Sequence, residues 1–182
     1  HRQSNILACN KQDTHNTKAH MPGGTGIIAL EEAQPRVVDK GVDDSGLGRW
    51  TWMRFQGRDG HFTRMISAYR PCRNSASLGT VYRQQMTYWS RKGEWDCPLD
   101  LFDKHLEELL ALWKLSGDHI ILGIDANEDI RSGKIHSMTR RLGMQDAILD
   151  LHDDIDPPET CNKNTKRVPI DGIFVTPGIM PT

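Results

Sequence analysis

The chain has 182 residues, of which 37% are hydrophobic and 26% charged, a balance that fits one globular domain and excludes a wholly disordered chain. Its 23 lysines and arginines nearly cancel its 24 aspartates and glutamates, and the resulting net charge of −1 would exclude a partner chosen by overall charge, such as nucleic acid. The longest uncharged stretch, 19–30, is broken by proline and glycine and is too short for the roughly 18 apolar residues of a membrane span, so we expect no membrane partner.

The first half of the chain is dominated by short apolar runs bounded by turn residues, which predict strands. These runs are 5–9, 25–30, 50–55 and 62–69. Between the last two, the Asp59-Gly60 pair suits a tight hairpin turn, which predicts a meander. The segment 41–48, rich in glycine and aspartate, predicts a surface loop.

The second half changes to helical periodicity. Tyr82, Met86 and Trp89 recur at helical spacing and predict a helix over 80–92. A second helix is predicted over 99–115, because Pro98 suits a first turn and Gly117 a stop. Its apolar stripe consists of Phe102, Leu106, Leu109, Leu110 and Trp113.

The remaining predicted elements are a buried strand over 119–124, a helix over 134–142 and two strands over 146–151 and 170–176. Together with the first half, this pattern predicts a single α+β domain over 1–182 in which helices cover sheets. Four cysteines lie far apart with no Cys-x-x-Cys pair, which favours reduced thiols and an intracellular protein over a zinc ribbon or a disulfide scaffold.

Asp125 and Asn127 follow the predicted buried strand. Alternate side chains of an extended chain point the same way, so this pair would present a carboxylate and an amide to one spot. Such a pair suits phosphoester hydrolysis, because the carboxylate can hold a water or a cation while the amide donates to a phosphoryl oxygen. The alternative is that Asp-x-Asn only forms an Asx turn.

Asp171 lies in the last predicted strand, on the face that carries Ile173 and Val175. A buried carboxylate there would need a donor such as His or Arg, because an unpaired buried charge is costly. The alternative is an exposed residue at the start of the strand. Tyr69 and Arg70 end another strand, where both side chains could donate to a phosphate, although a tyrosine there could also simply pack at the rim.

The net charge conceals a strong asymmetry. Residues 49–92 carry nine basic residues and one acidic residue, for +8, whereas 93–182 carry nine basic and seventeen acidic residues, for −8. A basic block next to an acidic block suits a metal-dependent enzyme that acts on a polyanion, unless both are ordinary solvated faces. The nine basic residues are Arg49, Arg54, Arg58, Arg64, Arg70, Arg73, Arg83, Arg91 and Lys92.

The order of these segments resembles the endonuclease/exonuclease/phosphatase superfamily, or DNase I-like fold, and most closely its versions in retroelement polyproteins. The segments are Gly23-Gly24-Thr25, Gly48-Arg49-Trp50, Ser67-Ala68-Tyr69-Arg70-Pro71, 121–128 and 170–175. The resemblance implies a four-layer sandwich of two packed, mainly antiparallel sheets flanked by helices. It also implies hydrolysis of phosphodiester or phosphomonoester bonds with Mg²⁺ or Mn²⁺, with DNA as the expected partner.

Carried onto this sequence, the resemblance implies that Asp125 activates the attacking water and binds metal, and that Asn127 binds phosphate or fixes the water. Tyr69 would donate to a phosphate oxygen and Asp171 would pair with a catalytic histidine, while we assign Arg70 and Arg73 to substrate binding. The principal glutamate ligand and the Ser-Asp-His segment of the family are expected outside these residues, so we expect the chain alone to be inactive or nearly so. The alternatives are a phosphatase for a small phosphorylated metabolite or lipid headgroup, and a non-catalytic domain that binds nucleic acid.

Overall fold

The computed structural model describes residues 4–9, 23–74, 79–150, 159–161 and 168–179, and the statements below concern those residues. Two sheets and three α-helices form the body of the protein. The strands are β1 (Ser4–Cys9), β2 (Thr25–Leu30), β3 (Val37–Val42), β4 (Trp50–Gln56), β5 (Phe62–Tyr69), β6 (His119–Asp125), β7 (Gln145–Asp146) and β8 (Asp171–Val175). The helices are α1 (Val81–Arg91), α2 (Pro98–Leu115) and α3 (Lys134–Arg141).

The larger sheet has six strands in the order β3-β4-β5-β6-β8-β7. The hairpin predicted between β4 and β5 is present, with Gly60 at a φ of 78° in its turn. Among the described strands, only β5 and β6 pair in parallel, and α1 and α2 form the crossover between them. All other strand pairs of the two sheets are antiparallel, so the predicted sandwich of two mainly antiparallel sheets with flanking helices is confirmed.

The core lies between α2 and one face of the larger sheet. Phe102, Leu106 and Leu110 of the predicted stripe are fully buried, and they belong to one cluster with Ile120 and Leu122 of β6. Burying a leucine or phenylalanine side chain contributes about 1.5–3 kcal/mol, so this helix anchors the fold. None of the helices in the described ranges is long and apolar enough to cross a bilayer.

The smaller sheet, β1 paired with β2, packs against the opposite face of the larger sheet, over β3, β4 and β5. Thr51 and Met53 of β4 are completely buried beneath it. Toward β6 and β8 that face opens, where Met65 and Ile173 are 40% and 42% exposed. Three of the predicted site residues, Tyr69, Asp125 and Asp171, lie on this open part of the sheet.

Two predictions about elements were wrong. The predicted loop 41–48 begins inside β3, an edge strand whose central Asp39 and Lys40 hide its apolar pattern. The rest of that segment is anchored by a buried ion pair in which Asp43 accepts from Arg49 at 2.7 Å.

The second error concerns the strand predicted over 146–151, where β7 is Gln145–Asp146 and a turn follows. The Asp146 carboxylate accepts hydrogen bonds from the backbone N–H groups of Ile148 and Leu149, both at 3.0 Å, and this ends the strand. Residue 151 lies outside the described residues.

Candidate active site

Three of the predicted site residues occupy one row across the neighbouring strands β5, β6 and β8 of the larger sheet, at the end where β5 and β6 finish. Tyr69 at the end of β5 is the register partner of Asp125 at the end of β6, and Asp125 is the register partner of Asp171 at the start of β8. Their neighbours Ala68 and Ile124 are buried toward α2, so alternation places the row on the opposite, open face. The structure therefore brings these three residues together in one row.

Asn127 joins this row through a turn. One carboxylate oxygen of Asp125 accepts from the backbone N–H of Asn127 at 3.1 Å, and Asn127 has a φ of 50°, in the left-handed region that asparagine tolerates. The extended geometry assumed for this pair was wrong, because β6 ends at Asp125 and an Asx turn follows. Among the described residues, the second carboxylate oxygen of Asp125 has no hydrogen-bond donor, so it can serve a water or a cation.

The position of Asp125 and Tyr69 in this row raises the pKa of both side chains. Burial raises the pKa of Asp125, and the charge of Asp171 raises it further, while the Asn127 N–H opposes both effects. Burial also raises the pKa of Tyr69, as does the charge of Asp125, and the nearby Asn127 side chain opposes them. Tyr69 thus stays a neutral hydroxyl that can donate a hydrogen bond.

Asp171 is exposed, so of its two alternatives the exposed strand start describes this structure. A hydroxyl on a neighbouring segment holds its backbone: Thr160 Oγ1 accepts from the N–H groups of Ile170 and Asp171 at 2.9 and 3.2 Å. An exposed carboxylate needs no buried partner. The pairing of Asp171 with a histidine therefore stays a prediction.

Arg70 is not placed to bind substrate. Its side chain is 4% exposed, and its guanidinium is bound by Asp103 at 2.6 Å and by Glu128 at 3.0 Å. A cation with two carboxylate partners in a buried position has no free face for a phosphate. The assignment of Arg70 to substrate binding is corrected here, because its partners come from α2 and from the loop after β6.

Arg73, the second predicted substrate ligand, is exposed and lines a groove of about 390 Å³ next to Asn127. Lys134 and Asp100 also line this groove and pair with one another. The substrate-binding role of Arg73 stays a prediction.

The basic block is partly neutralised inside the fold. Within the described ranges, four of its nine basic residues form ion pairs with acidic residues, and three of those four reach acids more than thirty residues away in the chain. The block therefore presents less free positive charge than the sequence suggests, which weakens the electrostatic argument for a polyanion. The four pairs are Arg49–Asp43, Arg54–Asp118, Arg64–Asp118 and Arg70–Asp103.

Asp125 and Asp171 are the oxygen donors that Mg²⁺ or Mn²⁺ would use here. Mg²⁺ is often held by one or two carboxylates, with waters and substrate phosphates in its other positions. A cation would offset the repulsion between these two carboxylates, so the donor set fits it. Within the described ranges no group of three or more His, Cys, Asp or Glu side chains could hold a metal alone, so the fit is to a hydrated cation and not to a closed cage.

Sequence reasoning did not assign the roles of three residues that shape the site. Asp103 and Glu128 hold Arg70, and neither carries a local signal that names its partner. Gly23 has a φ of 92°, and a Cβ there would lie 2.9 Å from Val81 and 3.9 Å from the Tyr69 ring. The consecutive glycines at 23 and 24, both with positive φ, were the available signal for this close approach.

Comparison with solved structures identifies the fold. The human Nocturnin catalytic domain superposes with a TM-score of 0.54 at 14% identity, over 97% of this chain and 60% of that one. The 3′ phosphatase NExo from Neisseria, bound to product DNA hairpin, gives a TM-score of 0.56 at 13% identity, over 96% of this chain and 67% of that one. A mannosyl-6-phosphatase from Bacteroides thetaiotaomicron gives 0.50 at 14% identity, over 96% and 63%.

These similarities establish the fold, and the predicted endonuclease/exonuclease/phosphatase architecture is confirmed at that level. The chain spans about three fifths of the length of the first solved structures it matches. No family model matches the sequence. No curated protein sequence matches it either.

Proposed function

We propose that this chain forms the core of a divalent-metal-dependent phosphoesterase, and that its reaction is endonucleolytic cleavage of DNA. The observation that carries the proposal is the row of Tyr69, Asp125 and Asp171 on one open sheet face, with Asn127 bound to Asp125. A 3′ phosphatase bound to a DNA product has the same fold, which supports phosphoester chemistry at such a site. The resemblance of the motifs to retroelement endonucleases is the reason to choose DNA.

In this mechanism the side chains of the row divide the work. Asp125 orients the attacking water and takes its proton. The Tyr69 hydroxyl and the Asn127 amide donate hydrogen bonds to phosphoryl oxygens, where negative charge develops. Asp125 and Asp171 would hold Mg²⁺, which supplies neutralisation of the phosphate charge when bound.

A second candidate is a phosphatase for a small phosphorylated metabolite or headgroup. Two observations favour it: a mannosyl-6-phosphatase shares the fold, and the basic block is partly neutralised by internal ion pairs. Ionic strength separates the two candidates. Binding of DNA releases counterions and weakens steeply with salt, whereas binding of a small monoester depends on salt much less.

The test uses the natural full-length protein with Mg²⁺, end-labelled duplex DNA and a small phosphomonoester. We expect DNA cleavage, a steep salt dependence of KM, and a loss of about 100- to 10,000-fold in kcat for Asp125→Ala. Asp129→Ala in the same loop is the matched control, because Asp129 pairs with Arg131 at the surface. Unchanged cleavage by a folded Asp125→Ala protein would end the proposal, and DNA binding without any hydrolysis would indicate a non-catalytic domain.

A further inference from the structure

Arg70 contacts each of the four residues 125–128, which run from the end of β6 into the loop that follows it. Its backbone N–H donates to the carbonyl of Asp125 at 2.9 Å, and its carbonyl accepts from Asn127 Nδ2 at 2.7 Å. Its guanidinium Nη1 donates to the carbonyl of Ala126 at 3.4 Å and pairs with Glu128 Oε2 at 3.0 Å. Arg70, the first residue after β5, thus binds both backbone carbonyls and side chains of the segment 125–128.

The opposite side of the guanidinium is fixed to the helices. Nε and Nη2 donate to the two oxygens of Asp103 on α2, at 2.6 and 2.9 Å. Glu128 uses its other oxygen to accept from the backbone N–H of Ile135 in the first turn of α3, at 2.7 Å. The guanidinium therefore ties the loop to α2 directly and to α3 through Glu128.

We propose that Arg70 is a positioning residue, whose guanidinium, held by Asp103 and Glu128, sets where Asp125 and Asn127 stand at the site. The effect on kcat that we expect from this role of Arg70 rests on the proposed function. Reacting groups displaced by about 1 Å lose about 100-fold in rate. A lysine is a single point charge and cannot make the two-pronged contact with Asp103 while reaching Glu128.

The experiment compares Arg70→Lys and Asp103→Asn with wild type, in the full-length protein. Arg141→Met is the matched control, because Arg141 makes the same two-pronged contact with Glu107 between α3 and α2, at 2.9 and 2.7 Å, but is exposed. Two properties are measured: kcat and KM on labelled DNA with Mg²⁺, and the NMR resonances of the Asn127 side-chain amide. Those resonances are assigned by their loss in Asn127→Ser.

We expect both variants to lower kcat, by about 100-fold for Arg70→Lys, with little change in KM. The Asn127 amide protons should shift and exchange faster with solvent, because the hydrogen bond to the Arg70 carbonyl loosens. Arg141→Met should leave both properties at wild-type values.

The proposal is overturned if the folded variants only lower the unfolding midpoint and keep the wild-type kcat and Asn127 resonances, since Arg70 would then be only a stabilising ion pair. Should Arg70→Lys fail to fold, Asp103→Asn decides by the same readouts, because it loosens the guanidinium from the helix side alone. If the wild type hydrolyses nothing, the proposed function fails, and the Asn127 resonances in the variants still decide the role of Arg70.

Discussion

Replacing Asp125 by asparagine should make the metal-free protein more stable at neutral pH. Asp125 and Asp171 face each other across an antiparallel ladder, in a pair that is not directly hydrogen-bonded, because the Ala126 N–H donates to the Ile170 carbonyl one position away. Like charges in such a pair destabilise a sheet by about 0.2–1 kcal/mol. Asparagine removes one charge and keeps the oxygen that accepts from the Asn127 N–H.

The pH dependence of this effect has a definite sign. Burial and the charge of Asp171 raise the pKa of Asp125 in the folded state. The protonated Asp125 carboxyl therefore contributes its full stabilisation to wild type below the unfolded pKa of about 3.9. Wild type loses this contribution as the pH rises through the folded pKa of Asp125. Urea unfolding followed by tryptophan fluorescence should therefore show Asp125→Asn gaining on wild type from about pH 4 to about pH 7, by about 0.2–1 kcal/mol.

Asp129→Asn is the control of opposite sign. Its hydrogen bond with Arg131 holds the pKa of Asp129 below its usual range, so wild type gains this stabilisation as the pH rises and Asp129→Asn does not. The variant should therefore fall behind wild type with rising pH, by no more than about 1 kcal/mol for an exposed pair. Added Mg²⁺ should stabilise wild type and not Asp125→Asn. A pH-independent difference, or an Asp125→Asn protein no more stable than wild type at neutral pH, would refute the like-charge reasoning.

Three further predictions concern the core, the ion pairs of Asp118 and the Tyr69 hydroxyl. Leu106→Ala removes a fully buried side chain and should cost about 2–5 kcal/mol of unfolding free energy in guanidinium denaturation. Asp118→Ala leaves the partly exposed Arg54 and Arg64 without their shared carboxylate and should cost about 1–3 kcal/mol by the same measurement. In wild type Arg54, more than Arg64, holds the pKa of Asp118 low, so this stabilisation should be lost only as the pH falls through that pKa. Tyr69→Phe should lower kcat/KM on DNA by about 10- to 100-fold, the value of a hydrogen bond to a charged group, with an unchanged unfolding curve.

Periodicity predicted the elements that are buried on one side or on both. The stripe on α2 and the apolar run of β6 gave correct elements to within one residue, because burial imposes a regular pattern on the sequence. The edge strand β3 was missed because Asp39 and Lys40 face solvent there, which interrupts that pattern. The strand predicted over 146–151 was wrong because the Asp146 carboxylate caps a turn, which composition does not reveal.

Local motifs identified the side chains that we propose react, but not what holds them. Asp125 and Asn127 were found from their position after a buried strand, although a turn and not alternation brings them together. The partner of Arg70 lies 33 residues away on α2, and no spacing distinguishes Asp103 from the other acidic residues of that helix. The charge count likewise registers an arginine block without showing which arginines are consumed by buried pairs.

The most direct test of the proposal that this row binds metal is a Mn²⁺ titration of this chain followed by NMR. Paramagnetic broadening should begin at the backbone amides of Tyr69, Asp125 and Asp171, which are register partners, and should disappear in Asp125→Asn. Broadening centred instead on Asp100 and Asp103 of α2, or unchanged by Asp125→Asn, would contradict a metal site on this row.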